Sequence, residues 1–309
     1  MGVGYVLTAA ILFSVNGSVS KAVLSGTVSS LHLVEVRCLV ASVIFSLIAA
    51  VRDPASLRIG RRELGFVAVY AIVGVAMVQW LYFVSIARMP VSITLLIEFT
   101  APVLIALWVR FVRKEPVRGR IWMALALTLI GLALVARVWA GLTLDAIGLI
   151  AAVAAALSLA TYYLLGEHGM GRRDPWSLAA WSFGIAGLFW AVVAPPWTLP
   201  FGRLTTSVEL GVTGLSAPAW VYVTFVIVLG TVAPFGLTLL GLRAIGATRV
   251  GLIATAEPPL AGLVAWPVLN ETLTTVQITG ALVVLAGIVL AETARSTPPE
   301  SVPAPAPGT

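Results

Sequence analysis

The stretch Thr94-Leu95-Leu96-Ile97-Glu98-Phe99-Thr100-Ala101-Pro102 decides how this chain is read. It sits inside an apolar segment running from Val91 to Val109 and places a carboxyl group, Glu98, about two turns in. Pro102 comes four residues later and has no N–H, so the Glu98 carbonyl loses its helical partner. One point in a membrane-length segment thus combines an ionisable group with a free backbone acceptor. The pattern returns 157 positions on, counted from Pro102 to Pro259, with Thr255, Glu257 and Pro258 beside it in the apolar segment 250–268. An ionisable residue inside such a segment marks a functional site by default. Two of them next to helix-breaking prolines, in corresponding parts of two halves, point to a transporter built around interrupted helices.

Composition agrees with a membrane solvent. Of 309 residues, 60% are hydrophobic and 10% charged, and the mean hydropathy is +1.03, whereas soluble domains carry about 25% charged residues. The net charge of +6 is not a nucleic-acid footprint, because Lys and Arg concentrate in short loops between apolar segments. The single cysteine, Cys38, excludes a disulfide framework. No Cys/His cluster has metal-ligand spacing, and no cofactor is expected. The N-terminal apolar run has no basic region before it and reads as a retained first helix.

Ten segments approach the ~20 residues needed to span a bilayer: 3–24, 31–51, 64–86, 91–109, 121–137, 146–166, 175–194, 218–241, 250–268 and 276–293. The connection 195–217 is the longest and is expected to hold a short surface helix. Residues 296–309 contain many prolines and little apolar bulk, so they are expected to be disordered. Fourteen of the 19 Lys and Arg fall in alternate loops starting with the one at Arg52, against Lys21, Arg88, Arg137 and Arg203 on the opposite side. The positive-inside rule then places both termini in the cytoplasm.

The halves read as a repeat. Aligning Pro102 with Pro259 pairs Ala87 with Ala244, and the spacing from Glu115 to Gly131 equals that from Glu271 to Gly287. The expected fold class is an all-α integral membrane protein of ten transmembrane helices. Residues 1–137 form one five-helix repeat and 138–295 the second. An odd helix number inverts the second copy in the membrane and puts a site near the midplane between them.

Helix count, repeat, Glu98-Phe99-Thr100-Ala101-Pro102 and the run from Thr255 to Thr274 resemble the drug/metabolite transporter superfamily, and within it the EamA family. The first motif is similar to the threonine/homoserine exporters of that family. The resemblance covers residues 3–293 and implies a bacterial inner-membrane carrier with a central cavity working by alternating access.

Glu98 and Glu257 are expected to couple protons and to contact the substrate, as by capture of its amine; a structural carboxyl hydrogen-bonded to backbone or hydroxyls is the alternative for each. They are not equivalent under the repeat, since Glu98 aligns with Thr255 and Glu257 with Thr100. Asn16 on the first helix, Gln79, Trp80 and Tyr82 on the third, Thr94 on the fourth, and Ser158 and Tyr162 on the sixth lie on polar stripes. Such stripes line a cavity or bond helices together. With Thr255 they complete the expected substrate contacts, and Pro102, Pro258 and Pro259 mark the helix breaks. Lys21 is expected to pair with Glu35, and Arg37 to reach the headgroups. His32 reads as an incidental polar residue near the surface, and Trp181, Trp190, Trp197 and Trp220 read as interfacial or lipid-facing. The leading function is export of a small amphipathic metabolite, an amino acid or a relative. The proton gradient is the expected driver, with facilitated diffusion and exchange as alternatives. A multidrug exporter of the same fold is the second reading. An intramembrane enzyme on lipid-linked substrates is the third, and it lacks any catalytic motif. The expected partners are a small-molecule substrate, the lipid bilayer and protons, with no nucleic acid.

Overall fold

A computed structural model of the chain describes residues 1–24, 27–89, 91–139, 145–210, 214–269 and 274–293. The tail 296–309 and Glu271 lie outside the described residues. The fold is helical: α1 (Gly2–Leu24), α2 (Ser30–Arg52), α3 (Arg61–Ile86), α4 (Val91–Glu98), α5 (Ala101–Phe111), α6 (Gly119–Ala136), α7 (Ala146–Met170), α8 (Pro175–Val193), α9 (Ala219–Ala254), α10 (Glu257–Leu269) and α11 (Thr275–Thr293). Among the described residues, eight helices are long and apolar enough to cross a membrane. Local chemistry sets their starts. The Ser29 side chain accepts from the His32 N–H to cap α2, Asp145 caps α7, and Asp174 with Pro175 behind it opens α8.

Two expectations about boundaries are refined. The segments expected at 218–241 and 250–268 have no open loop between them. Two helices meet at a sharp kink within α9, at Gly246, whose φ of +76° is outside the helical range. An apolar sequence with a lone glycine keeps its hydrogen bonding better than an open loop does in lipid. The connection 195–217 holds no surface α-helix among the described residues. It contains 3-10 turns at Pro196–Thr198 and Phe201–Thr205 and a two-stranded antiparallel hairpin, β1 (Ser207–Leu210) with β2 (Leu215–Pro218), in the register Ser207 to Pro218 and Leu210 to Leu215. Its prolines and β-branched residues disfavour a helix.

Four helix pairs dominate the packing: α6 with α11, α2 with α8, α1 with α9, and α3 with α7. Glycines let the first pair approach closely. A Cβ on Gly131 would lie 2.7 Å from the Val284 backbone nitrogen, and one on Gly287 would lie 3.0 Å from the Ala124 carbonyl. Two helices contain π-helical turns, α3 at Tyr70–Ala76 and α9 at Val228–Val232. The outer surface is apolar, with Leu47, Ile130, Ile150, Leu188, Leu282 and Val289 exposed, as a lipid-facing belt requires.

Candidate functional site

The two prolines follow breaks of similar build. α4 stops at Glu98, and α5 restarts at Ala101 with Pro102 in its first turn. The Thr100 hydroxyl closes the broken end by donating to the Ile97 carbonyl at 2.7 Å. The second break lies between Ala254, the last residue of α9, and Glu257, the first of α10. There the Thr255 hydroxyl donates to the Leu252 carbonyl at 2.5 Å, and Pro258 and Pro259 are buried. Each break thus presents a glutamate: Glu98 at the end of one helix, 7% exposed, and Glu257 at the start of another, partly buried.

Both glutamates line one cavity of about 100 Å³. Asn16 of α1, Gln79 and Tyr82 of α3, and Tyr162 of α7 are also in its wall. The amide nitrogen of Gln79 donates to the Val75 carbonyl at 3.0 Å, while its buried Oε1 has no hydrogen-bond partner among the described residues. Tyr162 stacks on Tyr70, with ring centroids 5.6 Å apart and planes 16° apart. Tyr70 belongs to the π-helical turn of α3, and the backbone at Gly74 of that turn comes close enough that a Cβ would sit 3.1 Å from the Tyr162 Cα.

Four expected substrate contacts are placed elsewhere. Trp80 packs against Trp190, centroids 5.5 Å apart. Thr94 is fully buried and hydrogen-bonds with Ser85 at 2.7 Å, which pins α4 to α3. Ser158 is buried but does not line the cavity, and Thr255 is committed to the Leu252 carbonyl. For Thr94 and Thr255 a hydrogen bond within the helix framework takes up the hydroxyl.

Arg37 is the main correction. It does not reach the headgroups; it is 2% exposed and lines the cavity. Its Nε donates to the Thr231 hydroxyl at 2.8 Å and its Nη2 to the Gly230 carbonyl at 3.3 Å. The Phe83 ring lies 5.5 Å from Cζ. The π-helical turn of α9 makes this seat. The Thr231 hydroxyl donates its own proton to the Val226 carbonyl, five residues back, at 2.8 Å, so only its lone pairs face Arg37. The sequence signal existed, since an arginine seven positions into α2 is an intramembrane charge, but the helical face it occupies depends on which neighbour covers it. Tyr163, Phe13, Phe235 and Thr238 also line the cavity and carried no sequence signal apart from bulk.

Three smaller expectations also change. Both oxygens of the fully buried Glu35 lack a hydrogen-bond partner among the described residues, so the Lys21–Glu35 hydrogen-bonded pair is not made. His32 is tied at both ring nitrogens, to Ser29 at 2.8 Å and to Thr198 at 2.8 Å, and holds the start of α2 to the 3-10 turn. Trp190 is 2% exposed inside the protein, and Trp181 donates to the Leu57 carbonyl at 3.0 Å, whereas Trp197 and Trp220 are exposed.

At the end of the molecule where α3 and α8 begin, ion pairs cross between helices. Arg173 donates to both Glu63 oxygens, at 2.7 and 2.9 Å. Glu167 of α7 accepts from Arg113, just beyond α5, at 2.8 Å, and from the Ala247 backbone at 3.0 Å. The second bond caps the helical run after Gly246. A Cβ on Gly246 would meet Glu167 Oε1 at 2.6 Å.

Comparison with known proteins gives a consistent result. The model of the EamA-like transporter family matches residues 1–137 and 146–293. An uncharacterized transporter of Archaeoglobus fulgidus is 29% identical over 68% of this chain and 70% of its own. The uncharacterized inner membrane transporter YicL of Salmonella typhimurium is 23% identical over 92% and 93% of the two chains. The threonine/homoserine exporter RhtA of the same species is 27% identical over 67% of this chain and 64% of its own. A solved crystal structure superposes with a TM-score of 0.75 at 17% identity, over 95% of this chain and 96% of that one, which shows a shared fold.

Proposed function

The chain belongs to the EamA-like transporter family, and from that premise we propose that it is a secondary active exporter of a small amphipathic metabolite, an amino acid or a close relative. It works by alternating access, with both termini in the cytoplasm. Protons move inward on Glu98 and Glu257 as solute moves out. The carrying observation is the single cavity whose wall brings the two helix-break glutamates together with polar groups from α1, α3 and α7. The similarity to RhtA, a threonine/homoserine exporter, supports the solute class.

The reading includes ten crossings arranged as two inverted five-helix repeats, 1–137 and 138–295. Its support is reciprocal packing. Gly131 meets residues 280 and 284, while Gly287 meets 124 and 128, the contacts that a shift of 156 positions exchanges. The π-helical turns of α3 and α9, at 70–76 and 228–232, are related by nearly the same shift. A site between inverted repeats can be exposed to either side by rocking one repeat on the other.

A multidrug exporter is the second reading, favoured by the aromatic rings of Phe13, Tyr82, Phe99 and Tyr163 around the carboxyls, which would attract an organic cation. The buried Arg37 in the same wall opposes it.

Proteoliposomes separate these readings. Wild-type protein is expected to exchange labelled threonine, homoserine or another amino acid across the bilayer and to accumulate it when a pH gradient is imposed. Glu98→Gln keeps shape and hydrogen bonding without titrating, so pH-driven accumulation should be lost while exchange at equal concentrations survives in part. Wild-type accumulation by both Glu98→Gln and Glu257→Gln would remove the proton role, and exchange of organic cations with no amino acid moved would favour the second reading.

A further inference from the structure

Arg37 is a buried cation whose direct partners are neutral. Thr231 and Gly230 take Nε and one hydrogen of Nη2, and Phe83 offers a ring face. Among the described residues no carboxylate forms an ion pair with it. A guanidinium carries five N–H donors in a planar fork, so the outer edge formed by Nη1 and the second Nη2 hydrogen is left for something else. The inner edge is rigidly held. The Thr231 hydroxyl is oriented by its bond to Val226, and the Asn16 side chain packs directly against Gly230. A buried charge without a contacting counter-charge is costly, and an anion entering the cavity would complete the fork.

The rest of the wall has the opposite character. Glu98 and Glu257 supply carboxyl groups at the two helix breaks, and Gln79 supplies a buried acceptor with no partner. The cavity wall therefore carries one cationic group, held between α2 and α9, together with carboxyl and amide acceptors from α3 and the breaks. We propose that Arg37 binds the carboxylate of the transported solute end-on through its free edge, and that the cavity thereby selects zwitterions over simple organic cations. This assignment rests on the transport reading above and sharpens it, because a carboxylate is the planar anion that a guanidinium fork matches with two parallel bonds. Glu98, Glu257 and Gln79 then receive the ammonium group.

The test pairs each amino acid with its own amide, which keeps the ammonium and side chain but deletes the carboxylate charge. Inhibition of labelled amino-acid exchange is measured in proteoliposomes. Wild-type protein should prefer the acid by at least tenfold, the scale of a charge-assisted pair. Arg37→Gln should bring acid and amide within about threefold of each other, mostly by weakening the acid. Arg37→Lys, which keeps the buried charge without the fork, should retain part of the preference and provides the readout if the glutamine variant does not fold. Equal inhibition by acid and amide in the wild type would overturn the assignment and leave amino-acid transport standing. So would an Arg37→Lys or Arg37→Gln variant that weakens both probes alike. If the wild type moves organic cations and no amino acid, or moves neither class, the transport reading falls and this assignment falls with it.

Discussion

Thr231 has one hydroxyl proton, and the Val226 carbonyl takes it. Its lone pairs are what hold Arg37 in the cavity wall. Thr231→Val fills the same space but removes the acceptor for a buried guanidinium and the donor for a buried carbonyl. Hydrogen bonds to charged groups contribute roughly 1.5–3 kcal/mol, so this variant is expected to lower unfolding free energy in bicelles by about that amount. Thr231→Ser, which keeps the hydroxyl, should stay within about 1 kcal/mol, since it loses one methyl group. Equal stability of the valine variant and wild type would mean that the guanidinium has another seat. Glu35 is the contrasting residue. It is as buried as any core side chain, yet both its oxygens are without hydrogen-bond partners among the described residues, and nothing in the structure explains its presence there. Residue types alone put Glu98, Glu257, Asn16, Gln79, Tyr82 and Tyr162 forward, and one cavity gathers them. The same reasoning put Trp80, Thr94, Ser158 and Thr255 forward and sent Arg37 to the headgroups. A polar stripe on a helix does not say whether the neighbouring helix stops short of it, leaving a cavity, or closes on it, leaving a hydrogen bond such as that of Thr94 with Ser85.

Helices here meet where side chains are absent. At Gly131 an added Cβ would be 2.7 Å from the Val284 nitrogen and 2.8 Å from the Gly280 carbonyl, both backbone atoms that cannot rotate away. Gly131→Ala and Gly287→Ala should each push α6 and α11 apart at a cost of about 1–3 kcal/mol, the usual range for overpacking. Gly4 and Gly65 have open space at that position, so Gly4→Ala and Gly65→Ala should be neutral or stabilising by up to about 1 kcal/mol, from helix propensity. Comparison of chemical unfolding midpoints for the four variants checks this, and a Gly131→Ala protein as stable as Gly4→Ala would contradict the packing. These elements were legible in unequal measure. Apolar length and charge placement mark the helices, because lipid demands both. The glycines of α6 and α11 also show in the repeated spacing from Glu115 and Glu271. The π-helical turns of α3 and α9 leave no comparable trace. One extra residue per turn depends on what the surplus carbonyls can bond to, here Arg37 at Gly230, and that partner comes from a distant part of the chain. Gly246 hid the junction between two expected segments for the same reason: a single residue at φ +76° turns the chain without any polar signal.

On the proposed alternating-access reading, the end of the molecule that carries Glu167 has to open and close. Arg113 and Glu167 are each about a third exposed, and a pair in that setting contributes at most about 1 kcal/mol. The bond from Ala247 adds a tie from Glu167 to the start of the helical run after Gly246. Together they join a residue beyond α5 to both α7 and α9, and on that reading they would act as a latch weak enough to break in a transport cycle. Leu242 lies between this latch and the cavity. It is 2% exposed and packs on Gly166, one turn beyond Thr238 of the cavity wall and one turn before Gly246. A cysteine there reports opening. In a Cys38→Ser background, Leu242→Cys should react slowly with a membrane-impermeant maleimide. Adding Arg113→Gln should speed labelling by up to about fivefold, the factor that 1 kcal/mol makes in a population. Exchanging the two charges, Arg113→Glu with Glu167→Arg, should bring the rate part of the way back, because the pair is restored but the carboxylate cap on Ala247 is not. Gly246→Ala should speed labelling further than Arg113→Gln, since its Cβ displaces Glu167 and an alanine is strained at φ +76°. Labelling that is equally slow in all four proteins would place the moving seal elsewhere, at the Tyr70–Tyr162 stack directly beneath the cavity.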